Sequence, residues 1–522
     1  MAGRRLQDPC AAGTDCLHHA ANHSCCTRWR GDWSPTNAAE LLRYARRRGN
    51  APWGLAFGNE LVGAQDGKWG VDAGGIEAHL SARQYAADFC RLAALVTEVW
   101  PEAQAYDGSR RPRLIAPDGH FMSSWFAEFL QRTHGAGCAP DVVAYHQYIL
   151  GAGVDPQVGR KALDPAWLNR QKEHAAAVAR VVRDSSAEPR PELWMSEAGG
   201  AYNSGAAGVT DAFHSSFWFL DGLGVLAQRG HHTFCRQTLA GGSYGLLNTS
   251  TLAPNPDFYA LLLWRRLMGQ RVLGARAAVN NGVELGHLRA YAHCTTAVPQ
   301  LDVTRPVHAA GDVTLLLINL HASKSYDVQL RTPQPLAGVD EYVVSSDALS
   351  SQATVLNGQG LRAADDGSLP PLLPRTTAPS ERLVVAPHTY GFFVLRGAGA
   401  PACDPSEEVH TFTRAAAAPP VEPTRVANTS TTPRVGTPLT RARSTVGAAG
   451  LADRRFRNLG ERTLTSRHKA RGPTSRGFAA LRRLVRDAPV SSQVVEEKNL
   501  GEERRRRRRD EGLSHIWSSS EH

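Results

Sequence analysis

The chain has 522 residues, of which 42% are hydrophobic, so it is long enough to form two or three domains with sizeable cores. Of its 59 Lys and Arg and 49 Asp and Glu, 23 and 14 lie beyond residue 403, which leaves 36 against 35 in residues 1–403. The nearly neutral body argues against polyanion binding by net charge alone, and the lack of an 18-residue apolar run argues against a membrane-spanning helix.

Residues 1–31 are rich in Cys and His and show no clear periodicity, so we interpret them as an irregular, Cys-rich N-terminus. The chain has nine cysteines, but no CxxC pair stands at metal-binding spacing from further Cys or His residues. We therefore expect neither a zinc site nor another metal or cofactor. Arg4 and Arg5 are not followed by an apolar segment, so no signal peptide is visible.

Residues 32–272 alternate between short apolar runs that end in polar residues and longer helix-like stretches. Strand followed by helix, five times over, predicts an α/β fold with a parallel sheet, here a partial (β/α)8-type barrel that forms the catalytic domain. The expected strands are Trp53–Glu60, Arg113–Asp118, Val142–Gln147, Leu193–Glu197 and His232–Gln237. A closed barrel has eight such units, so its first strands are missing from this prediction. A truncated gene product, a second chain that supplies the strands, and an inactive protein all stay open as explanations.

The pattern changes beyond Val272. Residues 273–403 contain strand-like runs separated by Gly, Pro and Asp, which predicts a C-terminal antiparallel β-sandwich domain. Residues 404–522 hold clusters of Thr and Pro, few apolar residues and six consecutive arginines at Arg504–Arg509. This composition is typical of a disordered, Arg-rich tail.

Glu60 and Glu197 each end one of the expected apolar strands. The carboxyl ends of barrel strands face the active site, so we expect both carboxylates there. Such a pair suits glycoside hydrolysis, because one protonated carboxyl group donates to the leaving oxygen while the other, ionised, attacks the anomeric carbon. A glutamate at the end of a strand is also common as a salt-bridge partner or helix cap, and the two residues alone leave that alternative open.

Several segments, taken in order, resemble the heparanase-like retaining β-glucuronidases of glycoside hydrolase family 79. The resemblance extends from residue 32 to residue 403 and is carried by Trp53–Glu60, Val142–Tyr148, Leu193–Tyr202, Trp264–Leu273, Leu288–Cys294 and Tyr390–Val394. It implies hydrolysis of β-linked glucuronosides, with an acidic glycan or proteoglycan chain that carries glucuronic acid as the partner. It also implies a secreted, extracellular, lysosomal or vacuolar protein.

The resemblance implies a role for each matching residue. Glu60 is expected to be the acid/base and Glu197 the nucleophile, and Asn59 is expected to bind the 2-hydroxyl group of the sugar. His146 and Tyr148 are expected to orient the nucleophile and to line the donor-sugar subsite. Contacts to the sugars are expected from Tyr202, Gln237 and Tyr244, and contacts to the substrate carboxylate from the backbone amides of Gly199, Gly200 and Asn203. The sequence alone leaves simpler alternatives open, namely a core histidine, a packed aromatic ring and a glycine-rich turn.

A disulfide between Cys294 and Cys403 is also implied by the resemblance. These positions match a family cysteine that follows Leu-Arg-x-Tyr and another just past the final strand. Two free thiols are the alternative if the protein is cytosolic.

The sequence departs from the family pattern at two further places. Leu61 stands where the family typically has Pro, and Gly119–Met122 lacks the basic residues that resemble a sulfate-binding cluster in animal heparanases. The second departure argues against heparan sulfate as the substrate. Two other functions stay open: a catalytically inactive glycan-binding protein with this fold, and a polyanion tether formed by Arg504–Arg509.

Overall fold

The computed structural model describes residues 27–28, 32–63, 72–73, 76–77, 80–101, 111–186, 188–278, 285–296, 308–332, 334–379 and 382–403. The predicted Cys-rich N-terminus, apart from the backbone of Thr27–Arg28, lies outside these residues. The predicted disordered tail at residues 404–522 lies outside them as well.

Helices and strands alternate up to residue 267, and strands predominate from there on. The described helices are α1 (Thr36–Arg47), α2 (Ala82–Val99), α3 (Ser123–Gly135), α4 (Val158–Lys161), α5 (Pro165–Ser185), α6 (Phe213–Gln228) and α7 (Pro256–Leu267). The described strands are β1 (Thr27–Arg28), β2 (Gly54–Ala56), β3 (Asp72–Ala73), β4 (Ile76–Glu77), β5 (Arg113–His120), β6 (Val142–His146), β7 (Gly151–Ala152), β8 (Glu192–Ala198), β9 (Ala201–Tyr202), β10 (His231–Arg236), β11 (Met268–Leu273), β12 (Leu288–Thr295), β13 (Val313–Asn319), β14 (Tyr326–Gln329), β15 (Gly338–Ser345), β16 (Thr354–Leu356), β17 (Gln359–Leu361), β18 (Arg375–Thr377), β19 (Arg382–Val385) and β20 (Thr389–Arg396).

Five parallel strands form the sheet that carries the predicted site, in the order β10-β8-β6-β5-β2. Every neighbouring pair is parallel, so the predicted α/β fold with a barrel-type parallel sheet is confirmed for this half of a barrel wall. The first strand is shorter than predicted, because β2 stops pairing with β5 at Ala56. Glu60 has a φ of 53°, a left-handed conformation that does not belong to a strand.

The two longest helices, α2 and α5, each begin at a residue whose side chain caps the helix. The Ser81 side chain accepts a hydrogen bond from the Gln84 N–H at 3.2 Å and so caps α2. Asp164 caps α5 by accepting from the Ala166 N–H at 2.9 Å, and Pro165 occupies the first helical position. Side-chain caps and an initial proline satisfy or remove backbone donors that have no partner inside the helix.

Helices α1, α2, α3 and α5 pack in one layer over the parallel sheet. Tyr85 and Phe89 of α2 contact Phe129 of α3 edge to face, at centroid distances of 5.4 and 5.5 Å. Such aromatic pairs add about 0.5–1.5 kcal/mol each beyond the burial of their area. All five residues of β6 are buried, as expected for a strand that is covered on both faces. The layer therefore fixes the strand ends that carry the site.

An antiparallel sheet of eight strands follows, in the order β11-β12-β13-β20-β15-β16-β17 with β18 paired to β15. One face shares a core with α6 and α7, and the other packs against the two-stranded sheet β14-β19. The predicted antiparallel β region is confirmed, but in the described part its second β layer has only two strands. The reason is that α6 is buried along almost its whole length and covers the opposite face of the large sheet. The domain boundary at residues 272–273 stays a prediction.

Two disulfides are formed by described cysteines. Cys294 of β12 is bonded to Cys403, with the Cα atoms 5.3 Å apart, which is inside the range that a disulfide requires. Cys90 of α2 is bonded to Cys138, just after α3, a pairing that the sequence did not predict. Cys235 is the free cysteine of the described part. None of the described helices is both long enough and apolar enough to cross a membrane.

Candidate active site

Glu60 lies in the loop after β2, joined directly to the end of β5. Its N–H donates to the Asp118 carbonyl at 2.9 Å, and both residues have positive φ angles, 53° and 56°. Gly119 permits this close approach, because a Cβ there would lie 3.1 Å from the Glu60 Cα. The two loops are thereby fused, and Glu60 is held over the carboxyl edge of the sheet.

The hydroxyl group of Tyr85 fixes the same two loops from below. It is 2.6 Å from the Phe57 carbonyl and 3.1 Å from the Pro117 carbonyl, and the side chain is fully buried in α2. Because this one hydroxyl group lies within hydrogen-bond distance of both carbonyls, helix α2 supports the two loops that carry the site.

His146 stands at the centre of the cluster, at the end of β6. Its Nδ1 lies 2.9 Å from Glu60 Oε1 and 3.8 Å from Glu197 Oε2, and its Nε2 lies 3.2 Å from Asp118 Oδ1. The side chain is 1% exposed. His146 therefore makes specific contacts to carboxylates on three neighbouring strands or loops and is not a core histidine among apolar side chains.

Glu197 lies in β8, in register with His146. Its Oε1 accepts a hydrogen bond from the Tyr148 hydroxyl at 2.7 Å. One carboxylate oxygen of Glu60 and one of Glu197 lie within 4.8 Å of each other. Carboxyl groups lie about 5–5.5 Å apart in retaining glycosidases and about 6.5–9.5 Å apart in inverting ones. The two carboxylates here are close enough to act on one glycosidic bond.

The same two carboxylates and His146 are near enough to one another to surround a cation. Each of them already has a protein hydrogen-bond partner, since His146 binds Glu60 and Asp118 and Tyr148 binds Glu197. The three side chains are therefore held in place by protein hydrogen bonds.

Charges inside the cluster shift the pKa values of its members. Burial by itself raises the pKa of Glu60, but the hydrogen bond from His146 and the charge of His120 outweigh it, and the pKa lies below its ordinary value. Burial by itself lowers the pKa of His146, but hydrogen bonds to Asp118 and Glu60 and the charge of Glu197 outweigh it and raise the pKa to about 9. These shifts favour the charged form of each group, a carboxylate at Glu60 and an imidazolium at His146.

The predicted sugar-binding residues of the later loops lie next to Glu197. A Cβ at Gly199 would be 2.9 Å from the Gln237 carbonyl, 2.9 Å from the Tyr148 ring and 3.3 Å from the Tyr244 ring, so these four residues share one wall. Tyr202 packs edge-on against Tyr148, with ring centroids 6.4 Å apart. The structure also places Gly200, with its carbonyl accepting from Leu150, and Asn203, exposed and with a φ of 58°, on this loop.

Asn59 is exposed and directly precedes Glu60 in the fused loop. Its predicted contact to a sugar hydroxyl stays a prediction, as do the predicted roles of the backbone amides of Gly199, Gly200 and Asn203.

Sequence reasoning missed three parts of the site. Asp118 contacts His146, and His120 contacts Glu60. The available signal for Asp118 was its place at a strand end, directly before a glycine. The third part is a buried ion pair of Arg236 and Asp257 at 2.8 Å. Arg236 also donates to the Gln237 carbonyl, so this pair supports the wall beside Glu197.

Two carboxylates at the carboxyl edge of a barrel-type parallel sheet stand where glycoside hydrolases of this architecture carry their catalytic pair. The family model described as "Glycosyl hydrolase family 79, N-terminal domain" matches residues 11–224. The chain belongs to glycoside hydrolase family 79, and the predicted family is confirmed.

Three similar proteins illustrate the range of the family. Heparanase-like protein 2 of Arabidopsis thaliana is 32% identical over 418 residues, covering 74% of this chain and 71% of that protein. Baicalin-beta-D-glucuronidase of Scutellaria baicalensis is 32% identical over 373 residues, covering 70% and 63%. Heparanase of Mus musculus is 30% identical over 384 residues, covering 71% and 64%.

Proposed function

We propose that this protein is a retaining glycoside hydrolase that cleaves β-linked glucuronosides in acidic glycans, with Glu197 as nucleophile and Glu60 as acid/base. The observation that carries the proposal is the spacing of the two carboxylates around His146. Two similar proteins, a β-D-glucuronidase and a heparanase, support this substrate class.

In the first step, a Glu197 oxygen attacks the anomeric carbon while Glu60 gives its proton to the departing glycosidic oxygen. The hydrogen bond from Tyr148 holds Glu197 Oε1 and leaves Oε2, the oxygen nearer His146, as the attacking atom. In the second step, Glu60 takes a proton from water, the hydroxide attacks the same carbon, and Glu197 leaves as a carboxylate. Two inversions at one carbon give net retention.

Gln237, Tyr244 and Tyr202 are proposed to line the glycone subsite, because they share the wall beside Glu197. Asn59 is proposed to bind the sugar 2-hydroxyl group, since it precedes Glu60 and is exposed. The amides of Gly199, Gly200 and Asn203 are proposed for the uronate carboxylate.

The test compares Glu197→Gln, Glu60→Gln and a matched control, Glu192→Gln, which removes a carboxylate at the start of the same strand β8. Glu197→Gln is expected to abolish turnover of an aryl β-glucuronide. Glu60→Gln is expected to lower turnover of alkyl glucuronides far more than that of activated aryl glucuronides, because a good leaving group needs less protonation. Glu192→Gln is expected to behave as the wild type. A wild-type chain that binds a glucuronic-acid oligosaccharide without hydrolysing it would favour the inactive glycan-binding alternative.

A further inference from the structure

We propose that Asp118 is a positioning residue of this site: it holds His146 so that the histidine stores the proton which Glu60 delivers to the leaving group. The inference rests on the proposed function for the destination of the proton. The position of the proton in the free protein is tested separately.

The ring of His146 is held by one hydrogen bond at each nitrogen. Nε2 faces Asp118 Oδ1 at 3.2 Å and Nδ1 faces Glu60 Oε1 at 2.9 Å, and the residue is 2% exposed. Nε2–H of His146 donates to Asp118. A second proton is then shared between Nδ1 of His146 and Oε1 of Glu60, and it can reside on either atom. The pair is then imidazolium and carboxylate, or neutral imidazole and carboxylic acid, and the exchange requires no movement of either side chain.

Asp118 is itself built into the loop that carries Glu60. Its carbonyl accepts the Glu60 N–H, its φ is 56°, and the carbonyl of the preceding Pro117 accepts from Tyr85. The Asp118 side chain is 14% exposed. Residues in such sparsely populated backbone conformations cluster at active sites, and Asp118 lies next to the proposed acid/base.

The electrostatics explain why such a proton store is useful. A general acid must be protonated when it acts, whereas the pKa of Glu60 lies below its ordinary value. The charged and titratable groups that face His146 are Glu60 after β2, Asp118 and His120 of β5, and Glu197 of β8. The carboxylates among them, Asp118 foremost, raise the pKa of His146 to about 9 and so keep one proton in the pair through neutral pH.

The proton moves between His146 and Glu60 in both steps of the reaction. Nδ1–H of the imidazolium passes its proton to Glu60, and Glu60 protonates the glycosidic oxygen as the C–O bond breaks and the bond from Glu197 forms. His146 is then neutral and Glu60 a carboxylate. In the second step Glu60 takes a proton from water, Glu197 is released as a carboxylate, and the proton returns from Glu60 to Nδ1.

The first experiment titrates His146 by 15N NMR in the wild type and in Asp118→Asn, with His146→Gln used to assign the signal. We expect the wild-type imidazolium to persist well above pH 7 and to lose its proton about one unit or more earlier in Asp118→Asn, because a neutral amide replaces the carboxylate. Asparagine tolerates a positive φ as aspartate does, so the loop is expected to keep its shape. Titration of wild-type His146 near its ordinary value of 6.5 would overturn the proposal.

The second experiment measures kcat/KM against pH for an alkyl and for an activated aryl β-glucuronide. Asp118→Asn is expected to move the alkaline limb for the alkyl substrate to lower pH by about one unit or more. The limb for the activated substrate is expected to move less, because its leaving group needs less protonation. Asp327→Asn, which removes an exposed carboxylate on β14, serves as the control. An unchanged alkaline limb in Asp118→Asn contradicts the proposal. Absence of hydrolysis in the wild type contradicts the proposed function, and the NMR titration then still decides where the proton lies.

Discussion

At the scale of single residues, the site depends on backbone conformations that few side chains adopt. Glu60 and Asp118 both have positive φ angles, as do Asn203 and Ser204 in the loop that follows β9. Such residues cost on the order of 1–3 kcal/mol each and persist only where the surroundings determine them. Here the Glu60–Asp118 backbone hydrogen bond and the missing Cβ of Gly119 supply that determination.

The hydrogen bond from Tyr148 to Glu197 gives a prediction at this scale. Tyr148→Phe removes the donor at 2.7 Å and keeps the ring that packs against Tyr202. Hydrogen bonds to charged groups contribute about 1.5–3 kcal/mol, so kcat/KM for an aryl β-glucuronide is expected to fall roughly 10- to 150-fold. Steady-state kinetics check this, with Tyr326→Phe on β14 as the control. Wild-type kcat/KM in Tyr148→Phe would show that the hydroxyl group does not orient the nucleophile.

At the scale of elements, apolar runs that end in polar residues predicted all five parallel strands. Strands that are buried on both faces are nearly continuous hydrophobic runs, so the sequence shows them clearly. The same rule failed for the end of β2, since nothing in Trp53–Glu60 shows that pairing stops at Ala56. Glu197 was predictable as a strand residue that faces the site. Asp118 ends the predicted strand Arg113–Asp118 just as Glu197 ends Leu193–Glu197, but that position alone does not show the contact with His146, which lies 28 residues further along the chain.

The link between α2 and the two catalytic loops gives a prediction at the element scale. Tyr85→Phe leaves the carbonyls of Phe57 and Pro117 without their shared donor. Loss of a buried hydrogen-bond partner costs about 1–3 kcal/mol, so urea unfolding is expected to show a decrease of that size. We also expect kcat to fall, because the loops of Glu60 and Asp118 lose a common anchor.

The matched control for this prediction is Leu92→Ala in the same helix. Leu92 is 4% exposed and packs in the helical layer, so its truncation is expected to cost about 2–5 kcal/mol. Because its side chain makes no hydrogen bond to either loop, kcat per folded molecule is expected to stay at the wild-type value. Equal kcat in Tyr85→Phe and Leu92→Ala would mean that Tyr85 supports only the fold.

At the scale of the whole molecule, α6 connects the parallel sheet to the antiparallel one. Asp221 of α6 accepts a hydrogen bond from the Tyr291 hydroxyl of β12 at 2.5 Å, and both side chains are buried. The sequence predicted a sandwich because several runs within residues 273–403 are strand-like, but it could not show that a helix, rather than a second full sheet, covers one face. That arrangement follows from tertiary packing between residues 70 positions apart.

The disulfide between Cys294 and Cys403 gives the last prediction, because it closes the largest covalent loop among the described residues, with a sequence separation of 109. In the chain-entropy model a loop of this length corresponds to roughly 4–5 kcal/mol, an upper figure because real unfolded chains retain structure. The double variant Cys294→Ser/Cys403→Ser is therefore expected to unfold at lower urea concentration than the wild type. The loss should begin at residues 402–403, where the Cys403 carbonyl accepts from the Gly311 N–H and the Ala402 carbonyl accepts from Arg271. Hydrogen exchange is expected to quicken first at residues 397–403 and on the facing end of β12, while β6 and β8 keep their protection.

Removal of the Cys90–Cys138 bond, which joins α2 to the chain after α3, provides the comparison and is expected to loosen the helical layer instead. Identical exchange patterns in the two disulfide variants would contradict this assignment of each bond to its own part of the fold.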